Sequence, residues 1–530
     1  MTTNLLNQII PLPVEVKPQN GTFALDDETI LVISPEMERM VPLAEQLLRL
    51  TAQPQTADRN RLITLSVNQE AVLQAEGYRL QIEPDHILLE GGSEAGVFYG
   101  LQTLRQLLPT DMMAGRTGPV EIPCGSVVDC PKFRWRAMHL DVGRHMFSVE
   151  FVKKYIDLLA LHKMNIFHWH LTEDQGWRIE IEAYPKLMEV SAWRDETPLP
   201  QDRTVMDGKR YGGYYTKAEI REVVAYAHSR FVTVVPEIEL PGHTVSVLAA
   251  YPELGCVGEG YKVRTEWGIE DDVFCAGNEA VFQFLEAVFD EVLELFPGQY
   301  IHIGGDECPK IRWQACDKCQ DRIQAEGLRN EDELQSWFIS RIGRYLDGKG
   351  RRLIGWDEIL EGGIPPNAAV MSWRGTEGGI EAAQAGHEVV MSPTTHCYFD
   401  YYQTEAFESE PPAFYWPIPE AHRVPGGPTF SGLITLDRTY SFDPLEGVPD
   451  EHQAFVMGGQ ANLWSEYIPT SEQAEYQAYP RGSALAETLW SPQRAAERDL
   501  KDFIGRLATH LKRLDALNVN YRYPKEFDLN

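Results

Sequence analysis

The chain has 530 residues, 43% of them hydrophobic and 24% charged, with a net charge of −31. That length exceeds what one ordinary core organises, so two or more domains are expected. The acidic excess repels nucleic acid and anionic lipid, and no apolar run reaches the roughly 18–20 residues that span a bilayer, so neither nucleic acid nor a membrane is an expected partner.

The opening stretch, Met1-Thr-Thr-Asn-Leu-Leu-Asn-Gln, lacks a basic segment followed by a long apolar core and does not read as a signal peptide. A cytoplasmic location is expected, or a periplasmic or secreted one if the chain is a mature form. Residues 1–132 read as a small α/β unit. Leu62–Val67 has strand character, and residues 77–82 and 86–90 flank a Pro84-Asp85 turn as a hairpin. Val97, Leu101, Leu104 and Leu108 then share one helical face, ended by Pro109.

From residue 133 the rhythm changes. Short apolar runs at 137–140, 164–167, 232–238, 300–303, 353–356, 369–373, 389–392 and 456–461 alternate with helical segments. Ser148, the Thr216-x-x-Glu219 pair and Asn278 are placed to cap three of those helices. Eight strands alternating with helices predict an α/β fold with a (β/α)₈ TIM barrel over 133–494, a doubly wound open sheet being the competing topology. Over 495–530, Leu500, Phe503, Ile504, Leu507, Leu511 and Leu514 mark an amphipathic helix expected to pack on the barrel.

In such a barrel, chemistry sits where the strands end. Each apolar run is followed by polar or aromatic residues: Asp141 and Arg144; His168-Trp169-His170 and Glu173-Asp174; Glu237 and His243; Asp306-Glu307; Trp356-Asp357-Glu358; Trp373-Arg374; Tyr398 and Asp400; Trp464-Ser465-Glu466. Tryptophan faces beside carboxylates suit sugar rings, because the apolar C–H face packs on the indole while charged groups take the hydroxyls. An adjacent Asp-Glu pair after a strand and two glycines suits glycoside cleavage, which needs an acid for the leaving oxygen and a group that stabilises the cationic centre.

The segment His302-Ile-Gly-Gly-Asp306-Glu307 resembles the signature of glycoside hydrolase family 20, the β-N-acetylhexosaminidases. Leu140-Asp141-Val142-x-Arg144-His145, His168-Trp-His-Leu-Thr-Glu-Asp174-Gln-Gly-Trp, Pro236-Glu-Ile-Glu-x-Pro-Gly-His243 and Trp464-Ser-Glu466 do so as well. The first 132 residues look like that family's non-catalytic domain. The resemblance implies substrate-assisted retaining catalysis, in which the sugar's own acetamido oxygen is the nucleophile. It assigns Glu307 as general acid and base, Asp306 to the acetamido N–H, Tyr398 to the acetamido oxygen, and His243 with Asp174 as support for Glu307. Trp356, Trp373 and Trp464 would wall the acetamido pocket. Arg144, Asp400 and Glu466 would bind the sugar hydroxyls and impose an exo mode on terminal β-linked GlcNAc or GalNAc.

Two readings within the family stay open, a lacto-N-biosidase-like enzyme and one specific for sulfated GlcNAc. A third, from another class, is a metal-dependent barrel hydrolase using His168 and His170. No metal or cofactor is expected in the leading reading, and the partner is a small oligosaccharide or glycan. The oligomeric state is open, a homodimer included. Cys316-x-x-Cys319, with Cys308 nearby, has metal-ligand spacing, but no second close pair accompanies it, so free thiols or a local disulfide are expected. His302 reads as a core histidine. Tyr401, Tyr402, Tyr415 and Trp416 either line the leaving-group side or pack their own loop.

Overall fold

A computed structural model describes residues 5–50, 61–72, 74–414, 416–417, 430–527 and 529. The N-terminal sheet comprises β1 (Glu15–Leu25), β2 (Ile30–Ile33), β3 (Leu62–Val67), β4 (Tyr78–Ile82), β5 (His86–Gly91) and β6 (Val120–Asp129), in the order β1-β6-β4-β5-β3-β2. The expected hairpin is β4–β5, antiparallel with Ile82 opposite Ile87. Helix α1 (Glu94–Gln106) follows, capped by Ser93, whose hydroxyl accepts from the Ala95 N–H. It buries Val97, Leu101 and Leu104 in this sheet's core.

The eight runs of the second half form β7 (Trp135–Asp141), β8 (Ile166–His170), β9 (Thr233–Leu240), β10 (Tyr300–Gly304), β11 (Arg352–Trp356), β12 (Ala369–Ser372), β13 (Val389–Met391) and β14 (Val456–Ala461). They pair in parallel in chain order and close into a barrel through β14 and β7, with Gly458 opposite Trp135. That seam rules out the open sheet. It needs glycine, because a Cβ on Gly458 would lie 1.9 Å from the Trp135 carbonyl oxygen.

The caps form as the spacing requires. Ser148 accepts from Phe151 N at the head of α2 (Val149–Leu161), Thr216 and Glu219 make a reciprocal box at α3 (Lys217–His228), and Asn278 accepts from Ala280 N at α4 (Glu279–Leu295). No helix among the described residues is long and apolar enough to cross a membrane. The last helix, α5 (Leu500–Ala516), contributes Phe503, Leu507, Leu511 and Leu514 to the core around the barrel. It also reaches the N-terminal segment, where Arg506 and Arg513 donate to the carbonyls of Ile9 and Gln8.

The two-residue period of the strands sorts the barrel into layers. Phe167, Trp169, Ile238, Leu240, Ile301 and Ile303 point out toward the helices. Their neighbours point in. At the lower end the inward residues are apolar: Trp135, Ala137, Ile166, Val235, Ile354 and Met457. Higher up they become His139, His168, His170, Glu237 and His302, all fully buried, and the carboxylates of the site stand above them.

Candidate active site

A cavity of about 510 Å³ opens at the C-terminal ends of the strands. Its lining includes Arg144, His243, Asp306, Glu307, Trp356, Trp373, Tyr398, Asp400, Trp464 and Glu466. Ten of the eleven residues singled out from sequence therefore converge on one space. Asp174 is the exception; it is fully buried behind His243.

β10 delivers the carboxylate pair. Gly304 has a positive φ of 65°, and a Cβ there would lie 1.7 Å from Glu239 Oε2. The absence of a side chain thus admits a third carboxylate beside the pair. Glu307 itself adopts φ 43°, a left-handed conformation that costs a side-chain-bearing residue on the order of 1 kcal/mol or more. This turn separates the two acids. Asp306 is buried, whereas the Glu307 side chain is 32% exposed toward the cavity. Burial pushes the Asp306 carboxyl up to about 7; His243 opposes this and Glu307 adds to it.

His243 connects the pair to the interior. Its Nε2 lies 3.6 Å from Glu307 Oε2 and 3.7 Å from Asp306 Oδ2. Its Nδ1 lies 3.0 Å from Glu173 Oε1 and 3.5 Å from Asp174 Oδ2. The support expected from Asp174 is therefore shared, with Glu173 the nearer partner. Asp174 Oδ1 accepts from the Val245 N–H and so anchors the chain that follows His243. Burial opposes the imidazolium, but Glu173 and Asp174 outweigh it and hold His243 well above the usual histidine range. Burial likewise opposes the Glu173 carboxylate, yet Arg144 and His243 bring it down to about 2.

Arg144 pairs with Glu173, and its Nη1 lies 3.4 Å from Asp141 Oδ2. Its guanidinium sits 5.2 Å from the Trp464 ring centroid. Asp141 also accepts from the Ser465 N–H and hydroxyl, each at 3.0 Å, which ties the loop after β14 to the end of β7. Asp400 and Glu466 line the same cavity as Arg144; burial raises both carboxyls, Glu466 adds to the rise at Asp400, and Arg144 opposes it at each. The buried Arg481 holds the Asp400 loop from beneath, donating to the carbonyls of Phe399, Tyr401 and Ile434.

The aromatic wall follows from the same strand ends. Trp373 stacks on Tyr398 with ring centroids 6.0 Å apart, and Trp356 lies 5.7 Å from Trp464. Trp373 Nε1 donates to Glu358 Oε2 at 2.8 Å, which holds its ring upright. One side of the cavity is thus indole and phenol, and the other is charge.

The barrel matches the model of glycosyl hydrolase family 20, catalytic domain, over residues 133–493, and the N-terminal sheet matches domain 2 of that family over residues 7–130. The chain belongs to this family. It is 44% identical over 529 residues to a β-hexosaminidase of Porphyromonas gingivalis, covering 97% of this chain and 64% of that protein's length. It is 34% identical over 487 residues to a β-hexosaminidase of Vibrio furnissii, covering 90% of this chain and 76% of that protein. The family 20 exo-β-N-acetylglucosaminidase from Vibrio harveyi, solved with N-acetylglucosamine, superposes with a TM-score of 0.85 at 31% identity, covering 99% of this chain and 79% of that one. The Streptomyces plicatus N-acetyl-β-hexosaminidase solved with thio-NAglucal gives 0.83 at 30% identity, covering 99% and 98%.

Within this family 20 frame, the His168/His170 pair is accounted for without a hydrolytic role. Both rings turn inward to Glu237, at 3.0 and 2.7 Å, and His302 Nδ1 and Trp356 Nε1 each reach its other oxygen at 2.8 Å. Burial opposes the Glu237 carboxylate, but His302, His170 and His168 hold it well below the usual range. None of these histidines lines the cavity. They form a floor that fixes Trp356.

Glu173 is marked by the sequence only as a strand-end residue without a role, and Glu239, Arg203, Trp267, Ile269 and Tyr467 are lining residues not singled out from sequence. Glu239 was legible, since it alternates with Glu237 on the inward face of β9. Trp267 and Ile269 arrive from the long segment after β9, and no local pattern points them inward. Tyr401 lines the cavity, whereas Tyr402 packs with Ala413 and Phe407 in its own loop. Tyr415 and the side chain of Trp416 lie outside the described residues.

Proposed function

We propose that the chain is an exo-acting β-N-acetylhexosaminidase that removes terminal, non-reducing β-linked GlcNAc or GalNAc with retention of configuration. The observation that carries this reading is the inequality of the two adjacent acids. Glu307 faces the cavity where a glycosidic oxygen would lie, and the buried Asp306 faces the aromatic pocket. In the substrate-assisted route, Glu307 gives its proton to the departing oxygen as the acetamido oxygen bonds to the anomeric carbon. Asp306 accepts the amide N–H and balances the positive charge of the oxazolinium. Tyr398 donates to the acetamido oxygen. Water then opens the ring, losing its proton to Glu307.

His243 and Glu173 hold Glu307 in position. Asp400 and Glu466, in the same cavity as Arg144, are suited to sugar hydroxyls. They speak against a sulfated sugar, because two buried carboxylates would repel its anion. They also crowd any substituent on those hydroxyls, which speaks against the lacto-N-biosidase-like reading.

The test is hydrolysis of the p-nitrophenyl β-glycosides of GlcNAc and GalNAc. Glu307→Gln is expected to lose roughly 10²–10⁴-fold in kcat on a disaccharide, and less on an activated leaving group that needs no proton. Asp306→Asn is expected to lose a similar factor while still binding N-acetylglucosamine. Full turnover of a disaccharide by Glu307→Gln would overturn the assignment.

A further inference from the structure

Cys256, Cys275, Cys316 and Cys319 bring their sulfur atoms within 4.8 Å of one another. Cys256–Cys319 is 3.8 Å, and Cys275–Cys316 and Cys275–Cys319 are each 3.7 Å. Four thiolates bound tetrahedrally to zinc at about 2.3 Å stand about 3.8 Å apart, whereas a disulfide needs about 2.05 Å. From these positions we infer that the four cysteines form a tetrathiolate site for one structural zinc ion, filled as the four thiols release their protons to solvent. Spacing alone predicts free thiols or a local disulfide, because no second cysteine pair lies nearby in the sequence. The fold supplies it from more than forty residues upstream and leaves Cys308 out.

The backbone around the sulfurs is built to hold this geometry. Cys316 and Cys319 begin the helix Asp317–Glu326 in a C-x-x-C turn, the usual zinc-knuckle spacing. Gly277, two residues after Cys275, packs so closely on that turn that a Cβ would lie 2.0 Å from the Lys318 carbonyl oxygen. Its N–H faces the sulfurs of both Cys275 and Cys319, the kind of contact that orients metal-bound thiolates. Gly255, next to Cys256, forms a bridge with Phe274, next to Cys275, and Trp313 Nε1 donates to the Phe274 carbonyl. Cys275 and Cys319 are fully buried and Cys316 nearly so, which shields a bound ion from exchange.

The position suggests what the ion does. Residues 256–275 carry Trp267 and Ile269 into the cavity wall, and Arg264 of the same segment donates its N–H to the Asp174 carbonyl. The C-x-x-C turn lies on the chain that leaves Asp306-Glu307. The zinc would clip the rim of the cavity to the strand exit that bears the carboxylates. This inference stands independently of the hydrolytic reading.

The test is elemental analysis of the full chain, purified without added metal or chelator, together with a count of reactive thiols. About one zinc per chain is expected, with four cysteines that react in denaturant only when a chelator is also present. Cys275→Ser and Cys319→Ser should lose the metal, and Cys308→Ser should keep it. Cobalt in place of zinc should give the intense visible bands of a tetrahedral cobalt thiolate. Should the serine variants fail to fold, the metal content of the unaltered protein still decides. Zinc far below one per chain, iron in its place, or a mass deficit showing two disulfides would each overturn the inference.

Discussion

Asp306 illustrates how position divides two neighbouring acids. Its carboxyl stands at about 7 against an ordinary 3.8 because burial disfavours the charge and Glu307 repels it. The folded chain therefore holds this proton more tightly than the unfolded chain. The resulting stability is complete below about pH 4 and is lost as pH rises through about 7. Asp306→Asn removes the titration, so the variant should melt at the same temperature as the parent in acid and higher above neutrality. A gap that did not open with pH would contradict this. The same group, needed as an anion in the reaction, should place the acid limb of kcat/KM above the usual carboxylate range, and that limb should vanish from the residual activity of Asp306→Asn.

Among the elements, β14 and β7 carry the closure of the barrel. Gly458 has φ 150°, and the atom that a Cβ would strike is the Trp135 carbonyl oxygen, which the ladder holds in place. Gly458→Ala should cost on the order of 3–5 kcal/mol in denaturant unfolding, because backbone cannot step aside as a side chain can. Ser148→Ala, at the head of α2, should cost only about 1 kcal/mol, the usual worth of a cap. A seam variant no more costly than the cap variant would show that the barrel relaxes there. Both elements were readable as apolar runs with turn and cap signals. The lower inward layer of the barrel was not, since strands apolar on both faces carry no polarity contrast to mark which side turns in.

Across the molecule, the N-terminal sheet and the barrel share a buried polar joint. Lys163 Nζ donates to Asp129 Oδ2 at 2.8 Å and to Tyr78 at 2.9 Å, with both charged groups fully buried. Trp490 Nε1 completes Asp129 from the far end of the barrel chain, and Lys163 also lies over the Trp490 ring. Lys163→Met would strand the Asp129 carboxylate and should cost roughly 3–5 kcal/mol; adding Asp129→Asn should recover part of it. Calorimetry should show one transition for both units in the parent and two, or a broadened one, in Lys163→Met. Two separate transitions in the parent would mean that the joint does not couple them.

Local order and residue chemistry were already decided along the chain. Apolar period, caps and turns placed the strands and helices, and the residues at the strand ends declared a sugar site, because each depends on neighbours within a few positions. The division of His243 between Glu173 and Asp174, the histidine floor around Glu237, the entry of Trp267 and the meeting of Cys256 and Cys275 with Cys316 and Cys319 depend on barrel closure instead. Such contacts join segments tens to hundreds of residues apart, and distance in sequence carries no information about which sulfur or carboxylate a side chain will face until the ring of strands has been shut.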